Sequence, residues 1–123
     1  MKTIIIAATV VLTVLGALIF RGITGSSNSN EQKTLASNIT IIDVRTEEEF
    51  NTSHVTNAQL FPVETMQAGE MPNLSKDTPI ALYCRSGRRA GEALVLMKQA
   101  GFTNVTNLGG LSDVPNFGLA LTE

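Results

Sequence analysis

The sequence has one cysteine, one histidine and no tryptophan among its 123 residues. A lone cysteine closes no internal disulfide, and no group of cysteines and histidines has metal-ligand spacing. No metal and no cofactor are therefore expected. Aromatic residues are scarce, at 5%, and the net charge is −2, which argues against a nucleic-acid-binding protein. No internal repeat is found, and the length leaves room for one small domain.

Charge is also missing from residues 4–20, a predominantly apolar run between Lys2 and Arg21. As a helix rising ~1.5 Å per residue it would reach about 25 Å, the short limit for a bilayer and slightly more than a signal-peptide core. Residues 1–21 are accordingly read as a signal peptide or membrane anchor. No small-x-small site follows Phe20 directly, which favours the anchor. The expectation is an exported domain, periplasmic or extracytoplasmic, held at the inner membrane by residues 4–20 if they are retained. Residues 22–37, rich in Gly, Ser and Asn, read as a flexible linker, and residues 38–123 as the folded domain.

Within that domain, short β-branched or apolar runs alternate with helical patterns. Residues 39–44 predict a strand. Thr46 and Glu49 have capping-box spacing, so a short helix should run to about Asn51. Glu47, Glu48 and Glu49 then read as a solvated, capped helix start rather than as catalytic carboxylates. His54 reads as a turn residue before a strand near residues 58–61, not as a general base. A short helix is expected over residues 63–67, a buried strand over 79–83 and a last strand over 104–108. Ala90, Ala93, Leu94, Met97 and Ala100 recur at helical spacing, with Gly101 as the C-cap. Gly109-Gly110 forms a turn, and the tail a short, weak helix. This order implies an α/β fold: a small parallel sheet with right-handed crossovers and helices on both faces. Ligands of such sheets bind beyond the carboxyl ends of the strands.

Cys84 falls at that end. It closes the run Ile80-Ala81-Leu82-Tyr83 and is followed by Arg85-Ser86-Gly87-Arg88-Arg89 before the helical pattern starts. A tight loop entering a helix N-terminus converges unpaired backbone N–H groups and the positive end of the helix dipole on one point. With three arginines added, the surroundings favour thiolate over thiol and attract a small anion. The alternative, a cysteine serving as a small core hydrophobe, fits poorly with the polar residues that follow. Cys84 is the expected nucleophile.

Ile42-Asp43-Val44-Arg45 with Glu49-Phe50, His54-Val55 with Ala58, Pro62, residues 84–89, and Gly101-Phe102 with Gly109-Gly110 occur in a characteristic order. Together they resemble a rhodanese domain, from about residue 41 to residue 111. With the short length and the apolar N-terminal segment, the chain looks most like small single-domain exported thiosulfate sulfurtransferases of the phage-shock protein E type. The resemblance implies that Cys84 takes the outer sulfur of thiosulfate or a similar anionic donor, holds it as a persulfide and passes it to cyanide or a thiol. It further implies that Arg85, Ser86, Gly87, Arg88 and Arg89 bind the substrate, and that Asp43, Arg45 and His54 are structural. The chain departs from the pattern after Gly109-Gly110, where Leu111 replaces the usual tryptophan, and lacks the N-terminal strand and helix of longer rhodanese domains.

Two other readings compete. A cysteine phosphatase or arsenate reductase needs Cys-x5-Arg, and the sixth position after Cys84 is Ala90. A non-catalytic sulfur carrier or binding module would keep the same loop and differ only in turnover.

Overall fold

The structure, a computed structural model, describes Leu35 and residues 37–123. The expected anchor, residues 4–20, and the expected linker up to Thr34 lie outside the described residues. Among the described residues no helix is long and apolar enough to cross a membrane.

Four parallel strands make the central sheet: β1 (Thr40–Asp43), β3 (Gln59–Leu60), β4 (Ile80–Tyr83) and β5 (Val105–Asn107), in the order β3-β1-β4-β5. Strand β4 lies between β1 and β5, with Asp43 in register with Tyr83 and Leu82 with Asn107. All four of its residues are buried, which is why this run is apolar without alternation. Its side chains still divide by the strand period of two. Ile80, Leu82 and Cys84 join one core cluster, with Ile42, Val44, Val63, Met66, Ala90, Ala93 and Met97. Ala81 and Tyr83 join the other, with Val55, Leu108 and Val114.

The first cluster lies under helices α2 (Val63–Gln67) and α3 (Arg88–Gln99). Helix α3 buries Ala90, Ala93 and Met97, part of the apolar stripe expected from the sequence. At its end the Phe102 amide donates to Met97 O at 3.0 Å, beyond the expected capping glycine. The second cluster is covered differently. There a 3-10 helix (Val114–Phe117) contributes buried Val114, and β2 (His54–Val55) pairs antiparallel with β6 (Leu121–Thr122). The 3-10 helix takes the place of the weak tail helix, and β6 was not expected.

Helix α1 (Glu47–Thr52) follows its sequence signal closely. The Glu49 amide donates to Thr46 Oγ1 at 3.3 Å, and the Thr46 amide to Glu49 Oε2 at 3.1 Å, completing the capping box. Two boundaries differ from expectation. His54 is a strand residue of β2, because its pairing partner Thr122 lies at the far end of the chain. Arg88 and Arg89 belong to the first turn of α3 rather than to a loop, because Gly87 caps the helix in the left-handed region, at φ 94°. Leu35, within the expected linker, packs against the second cluster.

Candidate active site

Parallel strands bring their carboxyl ends to one side of the sheet. Here that side carries Cys84 directly after β4 and Gly109-Gly110 just after β5. The two segments are stitched together. The Cys84 amide donates to Gly109 O at 3.2 Å, the Leu111 amide to Arg85 O at 3.2 Å, and Ser86 forms a bridge with Gly110. A Cβ on Gly110 would stand 2.5 Å from Arg85 O and 3.0 Å from Ser86 Cα. The double glycine is therefore what lets the loop lie so close to its neighbour.

Cys84 is a free thiol with 0% exposure in this resting conformation. Its Sγ accepts a hydrogen bond from the Gly87 amide at 2.9 Å. Gly87 is also the N-cap of α3 and makes no side-chain cap, so the sulfur sits where the first turn of the helix presents its N–H groups. Of the loop N–H groups expected to face the sulfur, the Gly87 amide is the one that reaches it.

The three arginines separate. Arg88 is exposed and pairs with Glu92 one turn along α3, at 2.6 Å. Arg89 makes a two-pronged contact with Glu49, at 2.7 and 2.9 Å, and both side chains are largely shielded from solvent, at 19% and 29% exposure. That contact holds the Glu49 carboxyl at about 2, well below its ordinary range. Among the described residues Arg85 has no carboxylate partner. It lines a cleft of about 280 Å³ with Arg45, Glu49, Thr52, Ser53 and Leu111. The exposed Ser86 lies between Arg85 and Gly87 and meets Gly110. A larger cleft, about 470 Å³, includes Ile39, Thr40, Gln59 and Phe117, at the opposite end of β1 from this chemistry.

Behind the loop, Asp43, Arg45 and Tyr83 form a buried network. Tyr83 donates its hydroxyl to Asp43 Oδ2 at 2.7 Å and accepts from the Val55 amide at 2.9 Å. Arg45 donates to Asp43 Oδ2 at 2.7 Å and to Ser53 O at 2.6 Å. Burial pushes the Tyr83 hydroxyl well above its ordinary range. His54 stacks on Phe50, with ring centroids 3.8 Å apart, and its Nδ1 lies 2.9 Å from Phe50 O. These residues brace the first strand and its turn, and nothing in the arrangement sets His54 against the thiol. Among the described residues no group of three or more His, Cys, Asp or Glu side chains could hold a metal ion.

Sequence reasoning missed Asn107 and Asp113. Asn107 donates to Gly87 O at 3.2 Å and accepts from the Gly109 amide at 2.8 Å. Asp113 accepts from the Gly110 amide at 2.8 Å. An Asx residue close to a double glycine was the available signal. Ala90, where Cys-x5-Arg enzymes carry arginine, is wholly buried in the first core cluster.

The sequence profile of the rhodanese-like domain matches residues 27–114. Over 76 residues the chain is 34% identical to thiosulfate sulfurtransferase PspE of Escherichia coli K12, covering 59% of this chain and 71% of PspE. It is 38% identical over 73 residues to the probable adenylyltransferase/sulfurtransferase MoeZ of Mycobacterium tuberculosis, covering 58% of this chain. Only 19% of MoeZ is spanned by that match. A solved E. coli rhodanese with anions aligns at a TM-score of 0.58 and 30% identity, over 69% of this chain and 98% of that one. The rhodanese-like domain of the Alr3790 protein from Anabaena sp. aligns at a TM-score of 0.61 and 29% identity, over 69% and 99%. The profile covers more than half of the chain and the folds agree: this chain belongs to the rhodanese-like domain family.

Proposed function

We propose that the protein is a thiosulfate sulfurtransferase working through a persulfide on Cys84. The single observation that carries the reading is the Cys84 sulfur, 2.9 Å from the Gly87 amide at the head of α3. A charged sulfur there is met by preorganised donors instead of mobile water.

In the first half-reaction the Cys84 thiolate attacks the outer sulfur of thiosulfate. A bond forms between the two sulfurs, the sulfur–sulfur bond of the donor breaks, and its electron pair leaves with sulfite. In the second, cyanide or a thiol attacks the outer sulfur of the persulfide, and the electron pair returns to Cys84 as thiolate. Each step is a sulfur displacement that needs no outside oxidant. In this reading the N–H of Gly87, and those of the neighbouring loop residues 85–89, would stabilise the sulfur being carried, with Ser86 and Gly87 supplying the turn.

The donor carries two negative charges, so a free cation at the mouth of the site raises its local concentration. Arg85 fits that role better than Arg88 and Arg89, whose guanidinium groups are engaged by Glu92 and Glu49. PspE, a thiosulfate sulfurtransferase at 34% identity, supports thiosulfate as the donor. The charge-free residues 4–20 support an exported domain, anchored or released, with the residues between Arg21 and Leu35 as its tether.

Cys84→Ser tests the assignment. The substitution exchanges one buried atom for a smaller one, so the fold should persist by circular dichroism while thiosulfate:cyanide transfer falls to background. Turnover comparable to wild type in that variant would sink the mechanism.

A further inference from the structure

We infer that Asn107 is a positioning residue for sulfur transfer, holding Gly87 by its carbonyl so that the N–H of the same residue stays aimed at the Cys84 sulfur. The inference rests on the reading of Cys84 as the persulfide carrier, and it concerns the half-reaction in which Cys84 departs as thiolate.

Gly87 sits in the left-handed region, at φ 94° and ψ −16°, and no side chain caps α3 there. Its amide reaches Cys84 Sγ at 2.9 Å. Its carbonyl accepts from the Gly91 amide at 3.0 Å and from Asn107 Nδ2 at 3.2 Å. Of these two donors, the Gly91 amide belongs to α3 itself. Asn107 reaches the same carbonyl from the end of β5, a different element, and its Oδ1 is fixed by the Gly109 amide at 2.8 Å.

The side-chain type is decided by those two partners. One is an acceptor and the other a donor, so the residue between them must offer a donor and an acceptor on a short stem. Asparagine does. Aspartate would set a carboxylate oxygen against the Gly87 carbonyl oxygen, and alanine would reach neither partner. A glycine has little torsional preference of its own. The N–H and the carbonyl of Gly87 lie in adjacent peptide planes hinged at its Cα, so without the latch the carbonyl plane can swing, shift that Cα and take the N–H off the sulfur.

The consequence falls on the step where charge returns to Cys84. The N–H gains strength as Sγ becomes a thiolate leaving group, whereas donor capture depends on other groups. The test uses the full chain, loaded with thiosulfate and then mixed with cyanide in a single turnover. Asn107→Ala is expected to slow discharge of the persulfide about tenfold, the worth of one hydrogen bond to a charged group. The donor KM should stay within about twofold, because no donor-binding charge is touched. Exchange of the Gly87 amide proton, followed by NMR, should accelerate in parallel. Asn107→Asp keeps the oxygen facing Gly109 but sets a carboxylate against the Gly87 carbonyl, so its discharge should slow at least as much, and it serves if the alanine variant does not fold.

Wild-type discharge rates in both variants, or unchanged Gly87 exchange, would overturn the latch. A wild-type chain that forms no persulfide would instead overturn the reading of Cys84, and the amide exchange would then decide the latch by itself.

Discussion

Cys84 and Arg85, adjacent in the chain, stand in opposite surroundings. The thiol lies inside the first core cluster, at 0% exposure, while the next side chain stands in solvent over a cleft of about 280 Å³. Under the proposed reading, Arg85 is the cation that a doubly charged donor meets before the sulfur. Arg85→Ala should raise the donor KM by roughly threefold to tenfold, with kcat little changed and a shallower dependence on ionic strength. Arg88→Ala should leave the donor KM within about twofold, since its guanidinium is exposed and paired along its own helix. Steady-state kinetics at two salt concentrations would measure both. An unchanged KM in Arg85→Ala would remove that residue from donor recognition. The sequence placed all three arginines around the loop but could not rank them, because the carboxylate that occupies Arg89 is forty positions away.

Helices α1 and α3 are joined by that same contact. Glu49 is both the capping residue of α1 and the partner of Arg89 in the first turn of α3. Its carboxyl protonates at about 2 in the folded chain, against an ordinary value of 4.5, chiefly because of the hydrogen bonds from Arg89. A lowered folded-state value stabilises the fold at higher pH. The contribution is complete above 4.5 and fades as the pH falls from there to about 2. Glu49→Gln should cost about 1 kcal/mol at neutral pH, allowing for partial exposure of the pair, and flatten the acid limb of stability. Urea unfolding at pH 7 and pH 3 would measure it, and an acid limb identical to wild type would refute the assignment. Elements with local signals were legible in the sequence: the Thr46/Glu49 capping box, helix α2 between Pro62 and Gly69, and the wholly apolar β4. The β2/β6 pairing was not, because two-residue strands have no period to detect and their register joins His54 to Thr122. The start of α3 was misplaced because a glycine in a loop and a glycine capping a helix look alike until φ is known.

Across the described residues as a whole, the central strand β4 serves both core clusters and the candidate site. Cys84 continues β4 into the loop, and Tyr83 before it ties the opposite face together through Asp43 and the Val55 amide of β2. Tyr83→Phe should cost about 1–3 kcal/mol, the penalty for leaving a buried N–H without its acceptor. A shift in the urea midpoint would register it, with Cys84 persulfide chemistry preserved in the folded fraction. An unshifted midpoint would mean that the network is not structural. The fold class and the cysteine loop were readable because both are written in contiguous segments. The contact of Asn107 with Gly87 was not, because it crosses from β5 to the loop after β4, and neither was the pairing of Arg89 with Glu49, which joins two helices forty positions apart.

The central claim is that Cys84 holds the sulfur in transit. The most direct measurement is mass spectrometry of the full-length protein after thiosulfate treatment, alongside thiosulfate:cyanide turnover. The account predicts the mass of one added sulfur on the peptide containing Cys84, lost on addition of cyanide as thiocyanate appears. A persulfide that cyanide does not discharge would point to a carrier awaiting a protein acceptor. Turnover with no sulfur on Cys84 would contradict the account.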